Sequence, residues 1–299
     1  MMSKIANFSI LSSFLALWLT SYMKSEIQIF VGFILIFSFG IVHGANDLLL
    51  IKKINGENST TYWQIVLRYV AVVLLAVLLF GFIPWLAMLL FIVVSGYHFG
   101  EQHWEKKIMY NNIALTKLFH TTYGLFILFL LFQFHEKEVI ATMYGITGIT
   151  FTFSTITLLF KIIGIILAAL FIYNFTTSKI FQKNIANELL YLLVLAIIFK
   201  VGNLIWAFAI YFIFWHSIPS LVEQIKFLYG KVSVANSKAY FKEAFIYWLI
   251  SIVGIIVLYF LLKDYKIFDS IFFSFLAAIT FPHVVVIERM FSLKNKKTE

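Results

Sequence analysis

Long apolar runs separated by short polar segments are repeated along the whole chain. Runs of about 18 or more apolar residues are typical of helices that cross a lipid bilayer. The pattern therefore predicts an all-α fold, a polytopic integral membrane bundle of about ten (8–10) transmembrane helices, in a single transmembrane domain over residues 1–299. The predicted spans are 5–23, 27–51, 64–82, 84–101, 114–134, 156–176, 186–200, 203–222, 243–262 and 268–290.

Two places in this pattern leave alternatives open. Residues 5–23 follow Lys4 and have the character of a signal peptide. They lack a clear small-x-small cleavage site and are followed at once by another span, which favours a retained first helix. The seventh and eighth spans are separated only by a tight turn at Lys200, Gly202 and Asn203, so they are the least secure pair.

Charge is scarce and unevenly placed. Apolar residues make up 62% of the chain and charged residues 12%, which excludes a soluble globular protein. The net charge of +9 would favour nucleic-acid binding only if it formed a basic patch, whereas the lysines lie in short gaps between spans. Most of the 23 Lys and Arg residues lie on the side of the amino terminus. The positive-inside rule therefore puts both termini in the cytoplasm of a multi-pass inner (plasma) membrane protein.

Four histidines lie at nearly the same predicted depth, on four helices that run in the same direction: His43, His98, His216 and His283. Each lies roughly 14 to 17 residues, or roughly 21–26 Å, from the outer end of its helix. Histidine is uncommon inside a membrane, because an unpaired polar ring in hydrocarbon costs free energy. Each histidine alone is better explained as a hydrogen-bonded structural residue, but the coincidence of depth and direction favours one metal site.

Small residues flank two of these histidines. Gly40 and Gly44 bracket the first, and Gly96 and Gly100 bracket the second. Glycines four residues apart let helix backbones approach closely, although the spacing is common in membrane helices. The glycines therefore predict close packing near the histidines without defining its partner.

Asp47 is four residues after His43 and so on the same helix face. A carboxylate there can hold an imidazole through the ring nitrogen that does not bind the metal. The alternative is that Asp47 caps the helix or neutralises Lys52 at the interface.

The remaining histidines have weaker claims to the site. His103 is five residues beyond His98, about 140° round the helix, and reaches the same metal only if the helix unwinds at Gly100. His120 begins the fifth helix, with little to favour a role. His135 lies in an outer gap beside acidic residues, where we expect it to be solvated.

The residue types restrict the metal. The chain has no cysteine, which excludes thiolate ligands and disulfides. Neutral imidazoles suit Fe, Cu, Zn or Ni rather than Mg or Ca. Four imidazoles on iron would leave two octahedral positions, one for dioxygen and one for substrate. Because the surroundings are apolar and rich in Phe and Trp, the expected substrate is a lipid-soluble molecule from the bilayer.

At these residues the sequence resembles the Brp/Blh family of bacterial and archaeal membrane β-carotene dioxygenases. The matching pieces, in the family's order, are His43-Gly44 with Asp47, His98-Phe99-Gly100, His216-Ser217 and Pro282-His283. The resemblance implies an Fe(II)-dependent non-haem dioxygenase. Such an enzyme uses O2 to cleave the central double bond of β-carotene, or a related carotenoid, into two molecules of all-trans retinal, often to supply a rhodopsin.

The chain departs from the family pattern at two positions. The family places a second ligand histidine four residues after the one matching His216, where this chain has Ser220. The family also tends to carry an acid where this chain has His103. The resemblance therefore implies His43, His98 and His216 as iron ligands. The fourth ligand is His283 or His103, and we favour His283 because the depth comparison reaches it independently. A divergent paralogue, with another carotenoid or apocarotenoid as substrate or with its activity lost, is an alternative.

Three other classes of membrane protein remain as alternatives. A membrane cytochrome would use paired histidines as haem ligands, but two haems normally sit at different depths, whereas these histidines form one layer. A metal or proton-coupled transporter would be expected to show matched interrupted helices, which the sequence lacks. A structural or accessory membrane protein with hydrogen-bonded histidines is the third alternative.

Overall fold

The structure is a computed structural model that describes residues 2–55, 62–105, 107–108, 112–262 and 268–296. Within these ranges nearly every residue is helical and there is no strand, so the all-α prediction is confirmed. The α-helices are α1 (Met2–Thr20), α2 (Ser25–Leu35), α3 (Ile41–Ala45), α4 (Asp47–Asn55), α5 (Tyr62–Phe82), α6 (Pro84–Trp104), α7 (Ile113–Phe134), α8 (Glu136–Thr147), α9 (Phe153–Thr177), α10 (Lys179–Val201), α11 (Leu204–Ile210), α12 (Ile218–Tyr229), α13 (Val234–Leu262) and α14 (Phe268–Lys296).

Several of these helices are apolar enough to cross a membrane. Among the described residues the segments that meet this condition by length and composition are Ser25–Asn55, Trp63–Phe82, Ile113–Phe134, Phe153–Thr177, Lys179–Val201, Leu204–Tyr229 and Ser274–Lys294. A shorter apolar helix, Lys4–Thr20, precedes them. The count of ten spans and the cytoplasmic position of the termini stay predictions.

Apolar side chains cover much of the helix surface. On α5, Leu67, Leu74 and Leu75 are exposed, and on α9 the same is true of Ile165 and Ile172. Contiguous apolar surface of this kind is avoided by soluble monomers, because water is a poor solvent for it. Exposed apolar helix surface is compatible with a membrane protein.

Side-chain caps explain where several helices begin. Asn112, Thr152, Ser178 and Asn203 each accept a hydrogen bond from a backbone N–H of the first turn that follows. Such caps satisfy donors that have no partner inside the helix. Asn203, directly after Gly202, also separates α10 from α11, so the predicted tight turn between the seventh and eighth spans is confirmed.

Two short stretches are π-helical: π1 (Ile36–Gly40) and π2 (Tyr211–Ser217). Short π-helical segments are rare and often lie at functional sites, because the extra residue re-aims the side chains that follow. His43 follows π1 by three residues, and His216 lies within π2. Pro219, two residues after π2, has no N–H to donate to the carbonyl of Trp215, so a regular α-helical ladder is interrupted there.

The chain divides into two compact units, each assembled from discontinuous segments. Unit 1 comprises Met1–Ile36, Ile92–Tyr144 and Thr150–His216. In it, α7 packs against α9 and α10, α2 packs against α11, and α1 packs against α10. One of its apolar clusters contains the buried residues Phe129, Val139, Ile156 and Ile163.

Unit 2 comprises Phe37–Phe91, Gly145–Ile149 and Ser217–Glu299. In it, α14 packs against α5 and α4, and α13 packs against α3. One of its apolar clusters contains the buried residues Leu50, Val286, Ile287, Met290 and Phe291. The carboxyl-terminal helix is therefore a central element of this unit.

Within unit 1, helices α6 and α7 touch backbone to backbone. A Cβ added at Gly100 would lie 1.8 Å from the carbonyl oxygen of His120, and one added at Gly124 would lie 1.8 Å from the carbonyl oxygen of Gly96. Only glycine allows so close an approach, and the packing predicted from Gly96 and Gly100 is confirmed. In unit 2, a Cβ added at Gly44 would make only an ordinary contact, 3.7 Å from His283 Nδ1.

Candidate metal-binding histidines

Unit 1 contains one pair of the predicted metal ligands. His98 on α6 and His216 in π2 are both almost fully buried, and their ring centroids are 4.8 Å apart at an interplanar angle of 78°. Two imidazoles at this separation and angle lie edge to face. The pair joins two helices that are far apart in the sequence.

Aromatic rings surround this pair. Phe99 lies 4.7 Å from the His216 ring, centroid to centroid, and Phe212 stacks on His216 at 5.3 Å. The amide Nε2 of Gln102 donates to the backbone carbonyl of His216 at 2.7 Å. A carbonyl in a π-helical turn departs from the regular α-helical ladder, and the Gln102 amide supplies a donor for it. Aromatic side chains therefore flank the ring of His216, and a side-chain amide holds its backbone.

Unit 2 contains the second pair. His43 on α3 and His283 on α14 are both buried, with ring centroids 4.9 Å apart and an interplanar angle of 80°. Pro282 lies inside α14 directly before His283. A proline there cannot donate to the carbonyl one turn earlier, which loosens the helix next to the imidazole.

A carboxylate supports one ring of this second pair. Nδ1–H of His283 donates to Asp47 Oδ1 at 2.8 Å, and the hydroxyl of Tyr69 donates to Asp47 Oδ2 at 2.9 Å. The sequence spacing suggested that Asp47 would orient His43, but this hydrogen bond is to His283, on another helix. The physical reason is a helix break: α3 ends at Ala45 and α4 begins at Asp47, so the two residues do not share one continuous helical face.

The backbone around His43 belongs to a second polar network. The hydroxyl of Tyr240, a fully buried residue, lies 2.6 Å from Gln224 Oε1 and 3.3 Å from the carbonyl oxygen of His43. Asn46 Nδ2 donates to the carbonyl of Tyr240 at 3.0 Å, and Gln224 Nε2 donates to Ser220 Oγ at 3.0 Å. Ser220, where the family has a ligand histidine, is therefore buried in a hydrogen-bonded network.

His103, the alternative fourth ligand, is engaged elsewhere in unit 1. Its Nε2 lies 2.6 Å from Glu188 Oε2 and 3.0 Å from Lys107 Nζ, while Lys107 Nζ donates to Glu188 Oε1 at 2.7 Å. Its ring also stacks on Tyr123 at 4.9 Å. Helix α6 continues unbroken through Gly100 to its end at Trp104, so the unwinding that would let His103 join His98 does not occur.

Two further histidines are also buried. The prediction that His135 is solvated is wrong: it is 7% exposed, and its Nε2–H donates to the carbonyl of Phe199 at 2.8 Å. That carbonyl is in the last turn of α10, where carbonyls need partners from outside the helix. Burial lowers the pKa of His135, while this hydrogen bond and the charge of Glu138 act in the opposite direction. His120 is also buried, and its backbone is packed against Gly100.

Within each unit, two of the predicted metal ligands contact each other. Among the described residues, no group of three or more His, Asp or Glu side chains meets the geometry of a metal site. The sequence did not predict the tyrosine on Asp47, the Gln102 contact or the π-helical segments. Only Pro219, a residue without an N–H inside an apolar run, was a sequence signal for irregular helix near His216.

Each unit thus buries a pair of imidazoles, and in unit 2 a carboxylate holds the ring of His283. A carboxylate that accepts the N–H of one imidazole nitrogen leaves the other nitrogen with a lone pair that can bind a metal, an arrangement common among metal-binding histidines. The architecture is that of an all-α protein with helices able to cross a membrane and with candidate transition-metal ligands in its interior.

Comparison with known families agrees with the resemblance seen in the sequence. The family model described as beta-carotene 15,15'-dioxygenase matches residues 34–291, which include all four candidate histidines. The chain therefore belongs to the beta-carotene 15,15'-dioxygenase family. No curated protein and no solved structure matches the chain significantly.

Proposed function

We propose that this protein is a non-haem Fe(II) dioxygenase that cleaves the central double bond of β-carotene, or of a related carotenoid, to all-trans retinal. The observation that carries the proposal is the family match over residues 34–291. It is supported by the fact that all four candidate histidines within this range are buried and occur as two contacting pairs. The reaction needs no further reductant, because both atoms of O2 end in the two aldehydes.

The residues present suit iron. We propose His43, His98, His216 and His283 as its ligands, with His283 binding through Nε2 because Asp47 takes Nδ1. Imidazole nitrogens are typical ligands of Fe, Cu and Zn. When bound, iron would supply the centre at which O2 and the alkene react. That the four histidines share one ion is a proposal that rests on their common depth in the sequence and on the family.

The protein's own contribution is orientation and the exclusion of water. The Asp47–His283 hydrogen bond fixes one ring, and the Gln102 amide holds the backbone of His216. Phe99 and Phe212 offer ring faces next to the imidazoles, which suit the apolar, polarisable chain of a polyene. We propose that the carotenoid enters from the lipid of the inner (plasma) membrane. Retinal would be released into the same lipid, from which a rhodopsin could bind it.

The first test is expression in bacteria engineered to accumulate β-carotene, followed by chromatography of the extracted pigments. Loss of β-carotene with formation of retinal is expected, and His43→Ala or His98→Ala should abolish it. His135→Gln is the matched control, because it changes a buried histidine outside the proposed site and keeps an N–H for the Phe199 carbonyl. Unchanged pigment in cells that contain folded protein would exclude β-carotene as the substrate.

Metal analysis of the purified protein tests the shared ion. One iron per chain is expected, without the intense Soret band of haem. If one ion is shared, His43→Ala and His98→Ala each remove nearly all of the iron. If instead the pairs bind metal independently, each variant keeps the metal of the other pair, and the proposal of a single centre is wrong.

A further inference from the structure

We propose that Tyr69 is a positioning residue of the candidate metal site. Its hydroxyl holds the Asp47 carboxylate in the orientation that fixes the tautomer and direction of the His283 ring. The inference rests on the proposed function, since it assumes that His283 is a metal ligand. It adds a residue that neither the sequence pattern nor the family match singles out.

The geometry links three helices of unit 2 through one carboxylate. Tyr69 on α5 donates to Oδ2 of Asp47 at 2.9 Å, and Oδ1 of Asp47 accepts from His283 Nδ1 on α14 at 2.8 Å. Asp47 is the first residue of α4, and α5, α4 and α14 pack against one another. Each carboxylate oxygen therefore has a separate partner. Without Tyr69, rotation of the carboxylate would no longer be restrained from the α5 side.

The charge of this chain of contacts also points to a cation. Asp47 is 1% exposed, and among the described residues its ion-pair partner is His283, with no lysine or arginine within ion-pair distance. A buried carboxylate is costly unless it is hydrogen-bonded and its charge is compensated. A metal ion bound by the imidazole that the carboxylate supports provides this compensation, as in carboxylate–histidine–metal triads. A tyrosine hydroxyl satisfies an oxygen of Asp47 without adding positive charge that would compete with the metal.

A structural role for Tyr69 would show itself differently from a positioning role. A buried hydroxyl that only satisfies a hydrogen bond contributes to stability, and its removal leaves the ring chemistry of His283 unchanged. A positioning hydroxyl changes the protonated nitrogen of His283 and the affinity for metal when it is removed. The chain offers a matched control in the same unit, because Tyr229 also donates to a carboxylate, Glu243 Oε2 at 2.7 Å, but at an exposed position.

The first measurement is ¹⁵N NMR of the full-length, metal-free protein with labelled histidine, with the His283 signals assigned by comparison with His283→Gln. Wild-type protein should show His283 protonated at Nδ1. Tyr69→Phe should shift part of the population to the Nε2–H tautomer, whereas Tyr229→Phe should match wild type. Wild-type protein with Nε2–H at His283 would overturn the inference by itself, and this measurement is decisive even if Tyr69→Phe does not fold.

The second measurement is the affinity for Fe²⁺, and for Co²⁺ as a spectroscopic probe, by competition with a chelator. Tyr69→Phe should bind roughly tenfold more weakly, at the lower end of the range for residues that support metal ligands, and Tyr229→Phe should match wild type. Equal affinity and an equal tautomer in all three proteins would show that Tyr69 is only structural. If Tyr69→Phe changes the tautomer but the wild-type protein does not cleave carotenoids, the proposed function fails and the positioning role stands.

Discussion

Each unit contains a buried carboxylate that is hydrogen-bonded to a histidine, and the two carboxylates differ in the other side chain that donates to them. In unit 2, Asp47 lies 2.8 Å from His283 and accepts from the neutral hydroxyl of Tyr69. In unit 1, Glu188 lies 2.6 Å from His103 and accepts from the ammonium of Lys107. A short distance between acid and imidazole therefore does not distinguish a structural pair from a candidate metal ligand. The two cases differ in the charge of the other donor to the carboxylate, which is a cationic lysine at Glu188 and a neutral tyrosine at Asp47.

The physical reason is electrostatic compensation in a medium of low dielectric constant. At Glu188 the lysine neutralises the carboxylate, so the cluster is complete without any further cation. At Asp47 the described partners leave the negative charge to be balanced through the imidazole. This contrast predicts that substitutions in the Glu188 cluster change stability, whereas substitutions in the Asp47 cluster change the affinity for iron.

The largest effect, a loss of stability, is expected when Lys107 is replaced. Lys107→Met leaves the Glu188 carboxylate buried without its cation, which should lower the free energy of unfolding by about 3–5 kcal/mol. Unfolding of the detergent-solubilised protein by denaturant or heat measures this loss. Iron content per folded chain should stay at the wild-type value.

A double variant checks the cause of that loss. Lys107→Met combined with Glu188→Gln removes both charges, so it should recover part of the stability lost in the single variant. If the double variant is as unstable as the sum of the two single variants, the cluster does not act as an ion pair.

The next largest effects are expected from a matched pair of acid-to-amide variants, one in the Asp47 cluster and one in the Glu188 cluster. Asp47→Asn should weaken iron binding about 10- to 100-fold, because the imidazole loses the charge that raises its basicity. Glu188→Gln should lower stability and leave iron affinity unchanged. Chelator competition measures affinity and thermal unfolding measures stability. The comparison is wrong if both variants change the same property.

The smallest effect is expected at His135, a buried histidine whose hydrogen-bond partner is a backbone carbonyl rather than an acid. His135→Ala leaves the Phe199 carbonyl without this donor and should cost about 1 kcal/mol, whereas His135→Gln keeps a donor and should cost less. Comparison of the unfolding midpoints of the two variants with that of wild type at neutral pH checks this.

The same histidine predicts a pH dependence. Burial lowers its pKa in the folded state, so the unfolded state binds its proton at a higher pH than the folded state does. The contribution of neutral His135 to stability is therefore complete above its unfolded pKa of about 6.5. It is lost as the pH falls from there toward the lower pKa of His135 in the folded state. Between pH 8 and pH 5.5, wild-type protein should lose more stability than His135→Gln. An equal loss would exclude His135 as the cause.

Much of the fold followed from the hydrophobic pattern, because apolar runs and capping residues are local signals. The break at Gly202 and Asn203 and the close approach at Gly100 were both predicted from short sequence motifs. The hydrophobic pattern did not predict the two π-helical segments, π1 and π2. A π-helical turn in π1 or π2 depends on packing over several helices and leaves only weak traces in composition.

At the candidate site, burial of the four histidines agrees with the sequence analysis, but their partners were beyond it. Spacing placed Asp47 next to His43, and only the break before Asp47 shows why its hydrogen bond is to His283. His135 was expected in solvent because acids flank it, yet the open end of α10 offers it a carbonyl. Contacts between distant segments decide both cases, and no local motif reports them.

The glycine contact between α6 and α7 also sets the rotational register of a helix. Because Gly100 touches the backbone of α7, no other rotation of α6 brings so small a residue to that point: a slip of one residue would place Phe99 or Glu101 there. His98 is two residues from both Gly96 and Gly100, so it points to nearly the opposite side of the helix, about 160° from each glycine. The glycines therefore fix the rotation of α6, and with it the direction in which the imidazole of His98 leaves the helix, although neither glycine is a candidate metal ligand.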